Sequence, residues 1–416
     1  MRYGLIAQKL GHSFSAELHR MIGGYNYELL ELPQDRLASF LKKREFDGIN
    51  VTIPYKESVL PYLDEIDPSA AKIGAVNTIV NRHGKLYGYN TDLGGMLAQI
   101  RQMGLELCGK KVLILGTGGA AKTAFAAASQ LGAAEVSFVS RSGRNGSLTY
   151  DEASLQCADV GILINATPCG MYPELDNRPI DLTHFPFLSG VLDAIYNPLS
   201  SRLVLDARQR GIPAQGGLYM LVTQAALASE LFTGKRCERN TVDAVYSHLL
   251  CKKRNLILIG MPGCGKTSVG QEAARRMGRS FIDLDDCIAA KAGKTIPDIF
   301  SEDGETVFRD MESQLVRDIA IETGLVIATG GGCVMRPENM ERLRQNGCLF
   351  LLDRPIEQLL PTADRPLSDS FEKLRALHHQ RQKLYRDAAD EVIPTENSVA
   401  STAQAVVRRF NEVLYP

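Results

Sequence analysis

The sequence has almost no net charge. Its 47 lysines and arginines face 48 aspartates and glutamates, which leaves −1 at pH 7. A chain without a cationic excess has no electrostatic case for binding nucleic acid or an anionic membrane surface. Long apolar runs are missing too, and none approaches the ~18 residues of a membrane span. The start, MRYGLIAQKLGHS, has no long apolar core behind its basic residue, so no signal peptide is expected. Nine cysteines occur, none in C-x-x-C spacing. That pattern indicates neither a zinc site nor a thioredoxin-like pair. It fits a reduced, cytoplasmic protein. Low-complexity tracts are absent as well.

What is present is ordinary globular material, with 44% hydrophobic and 23% charged residues. A length of 416 residues suggests two or three domains. Short apolar, β-branched runs alternate with helix-length segments. Strands are expected at 2–7, 27–32, 48–53, 111–115, 135–139, 160–165 and 190–195, then at 255–260, 280–284, 325–329 and 348–352. Helical segments include 120–131, 266–277 and 305–323. This alternation predicts an α/β fold on mostly parallel sheets. Two boundaries stand out, near 92–110 and near 234–254, and the second is the stronger candidate for a linker.

Two glycine-rich loops carry the first functional signal. In VLILGTGGAAKT, residues 112–123, Ala121 stands where a mononucleotide P-loop needs its second glycine. The stretch fits a dinucleotide loop instead. Gly116 would make the turn, Gly118 would admit a pyrophosphate, and Ala121 would let helix and strand pack closely. Lys122 and Thr123 would then be ordinary residues of the first helical turn. The next strand, EVSFV, ends in Ser140, Arg141 and Ser142, with Arg144 close by. Hydroxyls and a guanidinium suit the 2′-phosphate of NADP, where NAD would call for an acid.

Upstream lies a dense polar set in GHSFS (11–15), NVTIPYK (50–56), GAVNT (74–78) and YNTD (89–92). In extended chain Ser13 and Ser15 point the same way, as do Asn50 and Thr52. Pro54 would start a helix and place Lys56 in its first turn. Reducing a ketone needs a proton for the developing alkoxide, and a lysine beside a carboxylate supplies it. Lys56 and Asp92 are the candidates. The plain alternative makes Lys56 a solvated helix residue and Asp92 a helix N-cap.

The second loop, GMPGCGKT at 260–267, meets the P-loop pattern in full, after a strand and before a helix. Backbone N–H groups of Gly263, Cys264, Gly265, Lys266 and Thr267 would cradle phosphates. Lys266 would balance their charge and Thr267 would ligate Mg²⁺. Asp283 and Asp285 flank Leu284 at a strand end and would face the same way, one for the magnesium shell and one for an acceptor hydroxyl. Glu305, Arg309 and Glu312 can share a helix face. The glycine run 330–332 follows a strand and permits close approach of backbone to a ligand.

Two resemblances add to this reading. Residues 1–250 or so resemble shikimate dehydrogenase through SFS, GINVTIPYKE, GAVNTI, GYNTDLGG, GTGGAA, NATPCGM, DAIYNPL and GLYMLVTQAA. The resemblance implies shikimate on Ser13, Ser15, Thr52, Lys56, Asn77, Asp92, Tyr196 and Gln224, with Lys56 as acid/base residue assisted by Asp92. It implies NADP over Gly116, Thr117, Gly118, Gly119 and Ala120, on Ser140, Arg141 and Ser142, and near Ala194 and Gly217. Ala16, Pro168 and Tyr219 depart from the family's usual proline, serine and glycine. Residues 255–416 resemble shikimate kinase through GMPGCGKT, FIDLDD, IPDIFSEDGETVFRDME, ATGGG, DRPL and RQKLYRDAAD. That implies shikimate on Asp285, Arg309, Gly331 and Arg381, ATP and Mg²⁺ at the loop with Thr267 and Asp283, and Arg365 in a lid. The family's further basic residue before RPL is missing here.

The implied architecture is an α/β substrate domain over 1–92 joined by about 235–252, a Rossmann NADP domain over 93–234, and a P-loop kinase domain with a parallel sheet over 255–416. The implied activities are NADPH-dependent reduction of 3-dehydroshikimate and ATP-dependent phosphorylation of shikimate. Two rivals stay open on the residues alone. One is a quinate/shikimate dehydrogenase fused to a small-molecule kinase. The other is a ligand sensor with one inactive half.

Overall fold

The computed structural model describes residues 2–10, 13–359, 370–395 and 398–414. Arg365 lies outside them. The chain divides into two compact units, Met1–Tyr246 and Ser247–Pro416.

The first unit holds two sheets. One is built from β1 (Tyr3–Ala7), β2 (Glu28–Glu31), β3 (Gly48–Val51), β4 (Glu65–Ile66), β5 (Thr78–Arg82) and β6 (Lys85–Tyr89), in the order β2-β1-β3-β5-β6-β4. β1 pairs parallel with β2 and β3, but β5 runs antiparallel to both β3 and β6. The hairpin β5–β6 was not expected. Its two-residue turn, His83-Gly84, puts both residues at positive φ, 53° and 83°. Such a turn joins only antiparallel neighbours, since a parallel pair needs a long crossover.

The second sheet is wholly parallel. It comprises β7 (Lys111–Leu115), β8 (Glu135–Val139), β9 (Ile162–Asn165), β10 (Gly190–Asp193) and β11 (Ala214–Gln215), in the order β11-β10-β9-β7-β8. After Lys111 the run VLIL is apolar and buried throughout because helices cover both faces. Val112 and Ile114 pack with Ala121, Ala124 and Ala128 on one side, and Leu113 and Leu115 with Ala153, Leu203 and Ala207 on the other.

The element that returns to the first sheet is the helix Leu218–Thr233, rather than 235–252. Its Ala228 and Phe232 cluster with Val80, Tyr3 and Tyr25, and a side chain on Gly48 would collide with the Phe232 ring. The apolar stretch LVTQAALASELF fills that role, whereas 235–252 is more polar. The expected linker is itself helical. Helix Arg239–Lys253 runs almost to the next strand, and the division between the units falls inside it.

Helix Ser15–Gly23 is pinned by His19, which is 1% exposed. Its Nδ1 lies 2.7 Å from the Tyr25 hydroxyl and its ring stacks on Tyr27. Burial pulls the imidazole down from 6.5 to about 3. The folded state therefore binds fewer protons than the unfolded chain between those values. Stability from this group is complete above pH 6.5 and is lost as pH falls toward 3. Amide exchange in 15–23 should accelerate as pH drops from 7 to 5, after correction for intrinsic rates, and His19→Gln should flatten that dependence. An unchanged pH slope in the variant would contradict it.

The second unit has one parallel sheet of β12 (Asn255–Ile259), β13 (Phe281–Asp283), β14 (Val326–Ala328), β15 (Gly347–Asp353) and β16 (Glu391–Pro394), ordered β13-β14-β12-β15-β16. β12, the P-loop strand, lies in the middle and is buried along its whole length. The edge strand β16 escapes detection because EVIP is short and half exposed. No helix among the described residues is long and apolar enough to cross a membrane.

Candidate active sites

In the first unit, Lys56 Nζ lies 2.6 Å from Asp92 Oδ2, with the side chains 21% and 12% exposed. The lysine does not sit in a helix as expected. Residues 53–59 form successive turns, and Pro61, which has no N–H, follows within a 3₁₀ turn. Asp92 stands in the first turn of helix Thr91–Gln102, whose N-cap is Asn90. The plain N-cap reading of Asp92 therefore fails, and its carboxylate is available to the lysine.

A buried amide network holds this corner. Asn77 Oδ1 accepts from the Thr91 N–H at 2.7 Å, and its Nδ2 donates to Thr91 Oγ1 at 3.0 Å. Asn50 binds Tyr27, Thr78 and the Asn77 carbonyl. Asn50 is thus spent on the scaffold. Gln224 reaches Thr91 Oγ1 at 3.5 Å. Thr52, half-buried, follows β3. Ser13 and Ser15 do not form an extended pair. Ser15 opens its helix, and its N–H donates to Ser13 Oγ at 3.3 Å. The Tyr196 ring packs 5.5 Å from Phe14 beside them.

The dinucleotide loop meets this corner directly. Gly116 has φ 107°, open to glycine, with Ala166 and Thr167 close against it. Gly118 caps helix Gly119–Gln130, in which Ala120 falls in the first turn and Ala121 is fully buried. A Cβ on Gly119 would come within 3.9 Å of Lys56 Cδ. Gly217 sits so tightly on Ala194 that no side chain fits, which brings those two predicted positions together. Thr117, between Gly116 and Gly118, is exposed. Arg141, Ser142 and Arg144 are exposed at the end of β8. Ser140 differs from expectation, because its hydroxyl bonds Ser147 Oγ at 2.8 Å and accepts from the Gly143 N–H at 3.1 Å. Lys122 is not an idle helix residue either. It pairs with Glu57 at 2.7 Å, one position from Lys56.

Tyr219, which departs from the family pattern, has a local explanation. It is 4% exposed, its hydroxyl donates to Asp243 at 2.7 Å, and its ring meets Tyr246 edge-on at 5.1 Å. It anchors the start of the helix Arg239–Lys253. Nothing in the structure explains Ala16 or Pro168.

In the second unit, Gly260, Gly263 and Gly265 have φ of 144°, 79° and 98°. That backbone suits glycine and turns N–H groups inward ahead of the helix Lys266–Met277. Lys266 is buried, with Nζ on the carbonyls of Gly260 and Met261 at 2.8 and 3.0 Å. Cys264 is buried beneath it. Thr267 Oγ1 donates to Asp283 Oδ2 at 2.7 Å. These are hard oxygen donors, and a magnesium ion bound with a nucleotide asks for one or two such protein ligands. Among the described residues no cluster of three or more acidic, His or Cys side chains could hold a metal alone.

Asp283 and Asp285 do not alternate along one strand. Asp283 ends β13 and caps the next helix, its Oδ1 accepting from the Asp285 N–H at 3.0 Å. Asp285 is turned instead toward the glycine run. A Cβ on Gly330 would lie 2.6 Å from Asp285 Oδ1 and 2.6 Å from Glu312 Oε1. The supposed surface ladder is also divided. Arg309 binds the fully buried Glu312 at 2.8 Å but only reaches the half-exposed Glu305 at 3.3 Å. Burial raises the Glu312 carboxyl above its ordinary range, opposed by Arg309. Arg381 Nη1 and the Tyr385 hydroxyl both donate to the Gly331 carbonyl. Two arginines and Asp285 therefore gather around the glycine run 330–332, and Tyr385 is a member the sequence reading missed.

Any side chain on Gly332 would overlap the Arg309 guanidinium. Gly332→Ala should displace Arg309 from Glu312. Losing charge-assisted bonds to an acidic substrate raises its KM about 10- to 100-fold. ATP KM should stay near that of the parent. Steady-state kinetics with each substrate varied separately checks this, and a matching rise in both KM values would count against it.

Strand–loop–helix units of these two kinds define an oxidoreductase that uses a dinucleotide, joined to a P-loop phosphotransferase. Comparison with known proteins agrees. Residues 5–79 match the family model of the shikimate dehydrogenase substrate binding domain, and residues 262–414 match that of shikimate kinase. An NADP-dependent shikimate dehydrogenase of Clostridium perfringens is 33% identical over 267 residues, 60% of this chain and 98% of the relative. One from Geobacillus sp. is 35% identical over 255 residues, 56% and 92% of the two chains. A chorismate mutase/shikimate 5-dehydrogenase fusion protein from Clostridium acetobutylicum superposes with TM-score 0.57 at 35% identity, over 59% of this chain and 96% of that one. The Thermus thermophilus shikimate 5-dehydrogenase solved with NADP(H) and shikimate gives 0.54 at 31%, over 60% and 99%. The chain belongs to the shikimate dehydrogenase family through its first unit, and residues 262–414 of its second are similar to shikimate kinase.

Proposed function

We propose that this chain is a bifunctional enzyme of the shikimate pathway. It reduces 3-dehydroshikimate to shikimate with NADPH, and it phosphorylates shikimate to shikimate 3-phosphate with ATP. The observation that carries the first activity is the 2.6 Å Lys56–Asp92 pair standing beside Gly119 of the dinucleotide loop. When bound, NADPH supplies the hydride, and ATP with magnesium supplies the phosphoryl group.

The chain's own residues then have separate tasks. Asp92 holds Lys56 in place, so that its ammonium can give a proton to the developing alkoxide. Ser13, Ser15, Thr52, Asn77, Tyr196 and Gln224 orient the hydroxylated ring. Gly116 to Ala120, Ala194 and Gly217 form the cofactor wall. Arg141 with Ser142 takes the 2′-phosphate, Arg141 being the exposed cation, while Ser140 holds the turn that presents them. In the kinase, Asp285 takes the proton of the acceptor hydroxyl or orients that hydroxyl, and Arg309, Arg381 and Gly331 hold the acid. Residues Gly263 to Thr267 hold the nucleotide, with Thr267 and Asp283 toward magnesium. Arg365 is assigned to the lid on sequence alone. All nine cysteines are free thiols, which supports a reducing, cytoplasmic setting.

The test supplies 3-dehydroshikimate with NADPH, first alone and then with ATP and Mg²⁺. Shikimate and then shikimate 3-phosphate should form. Absence of the first product, or of the second when shikimate is fed directly, defeats the corresponding half. NAD and quinate in parallel assays decide the rival dehydrogenase reading, and either product at turnover decides against a sensor.

A further inference from the structure

Asp193 has no task in the reaction as described, yet the structure places it at the centre of the cofactor side. It is the last residue of β10 and is 0% exposed. A buried carboxylate is costly unless its oxygens are satisfied. Three neutral donors satisfy this one. Asn165 Nδ2 and the Ile195 N–H donate to Oδ1, each at 3.0 Å, and Ser201 Oγ donates to Oδ2 at 2.5 Å.

Each donor leads to a different wall of the cleft. Asn165 ends β9. Its side-chain oxygen accepts from the Thr167 N–H and hydroxyl at 3.1 and 2.7 Å, and its carbonyl accepts from the Ala194 N–H at 2.9 Å. Thr167 in turn backs Gly116, since a Cβ there would lie 3.1 Å from Thr167 Cγ2. Ile195 accepts through its carbonyl from the Gly217 N–H at 2.7 Å, and Gly217 rests on Ala194. Ser201 caps the helix Arg202–Gln209. One carboxyl group thus ties the ends of β9 and β10 to the first glycine of the loop and to the Gly217 turn. Ligands of open α/β sheets bind at those strand ends.

We propose that Asp193 is a positioning residue for hydride transfer. It fixes the backbone from 194 to 196 and the Gly217 turn, so that the nicotinamide and the substrate ketone meet at reacting distance. This rests on the dehydrogenase reading above. Burial raises the carboxyl to about 7, because the loss of hydration outweighs the three hydrogen bonds that would lower it.

The test uses the full chain. Asp193→Ala should lower kcat for reduction about 10- to 100-fold, the scale of a misplacement near 1 Å. NADPH affinity, read from the fluorescence of the bound coenzyme, should fall. Amides of Ile195 and Gly217 should exchange faster without any ligand. Asp193→Asn keeps both Oδ1 bonds and should restore most of the rate. Ser201→Ala, a milder cut, should lower kcat less than Asp193→Ala while leaving the 3-dehydroshikimate KM near the parent value. Phosphorylation by the same preparations normalises active protein. Parental kinetics and amide protection in Asp193→Ala would overturn the proposal. So would an Asp193→Asn as impaired as the alanine variant, or losses that merely follow melting of the unit. A parent protein with no reduction at all would instead strike the dehydrogenase reading.

Discussion

Lys56→Ala should lower the rate of 3-dehydroshikimate reduction by about 10²- to 10⁴-fold, the usual worth of a general acid. Phosphorylation by the same chain should be unaffected. The size follows from geometry. The ammonium lies 2.6 Å from Asp92, is one-fifth exposed, and has Gly119 of the dinucleotide loop at its flank. Nothing else described at that corner is a cation placed to give a proton to the substrate. Lys122, the neighbouring ammonium, is paired with Glu57. Most of the loss should fall on kcat, because the proton is required only as the alkoxide develops. NADPH oxidation at 340 nm, with shikimate-dependent ADP release measured on the same sample, checks both halves. Reduction at a rate within a few-fold of the parent would remove Lys56 from its role.

Lys266→Ala should do the reverse, cutting phosphorylation by about 10²- to 10³-fold, the scale set by removing one electrostatic stabiliser of the transition state. Reduction should persist. In the structure Lys266 folds back onto the Gly260 and Met261 carbonyls. Its charge therefore has two possible uses, bracing the loop and meeting phosphate. A variant that binds ATP nearly as well but transfers phosphate slowly points to phosphate. A variant that no longer binds ATP points to the brace. Full phosphorylation activity would contradict both.

Much of each site could be read before the fold was known, and the reason is local. A strand followed by glycines and a helix presents its N–H groups whatever surrounds it. So Gly116–Ala120 and Gly260–Thr267 were placed correctly as strand–loop–helix turns, and β7, β8 and β12 were located to within a residue. Where local rules were pushed further they failed. Period-two alternation predicted a facing pair at Asp283 and Asp285, but a helix starts between them. Proline at position 54 predicted a helix, where the chain instead forms successive turns. The i, i+3 and i, i+4 rule grouped Glu305, Arg309 and Glu312, but could not say that Glu312 is buried and Glu305 is not.

The sequence by itself determined the two chemistries, because glycine φ, loop spacing and the residue types on either side are properties of short segments. Tertiary structure alone decided which groups meet. It set Lys56 against a carboxylate 36 positions away, turned Asp285 toward Gly330, drew Asn165, Ile195 and Ser201 onto Asp193, and sent the helix Leu218–Thr233 back to the first sheet. Those outcomes depend on burial and on chain closure over long separations, and neither is encoded in the periodicity of any one segment.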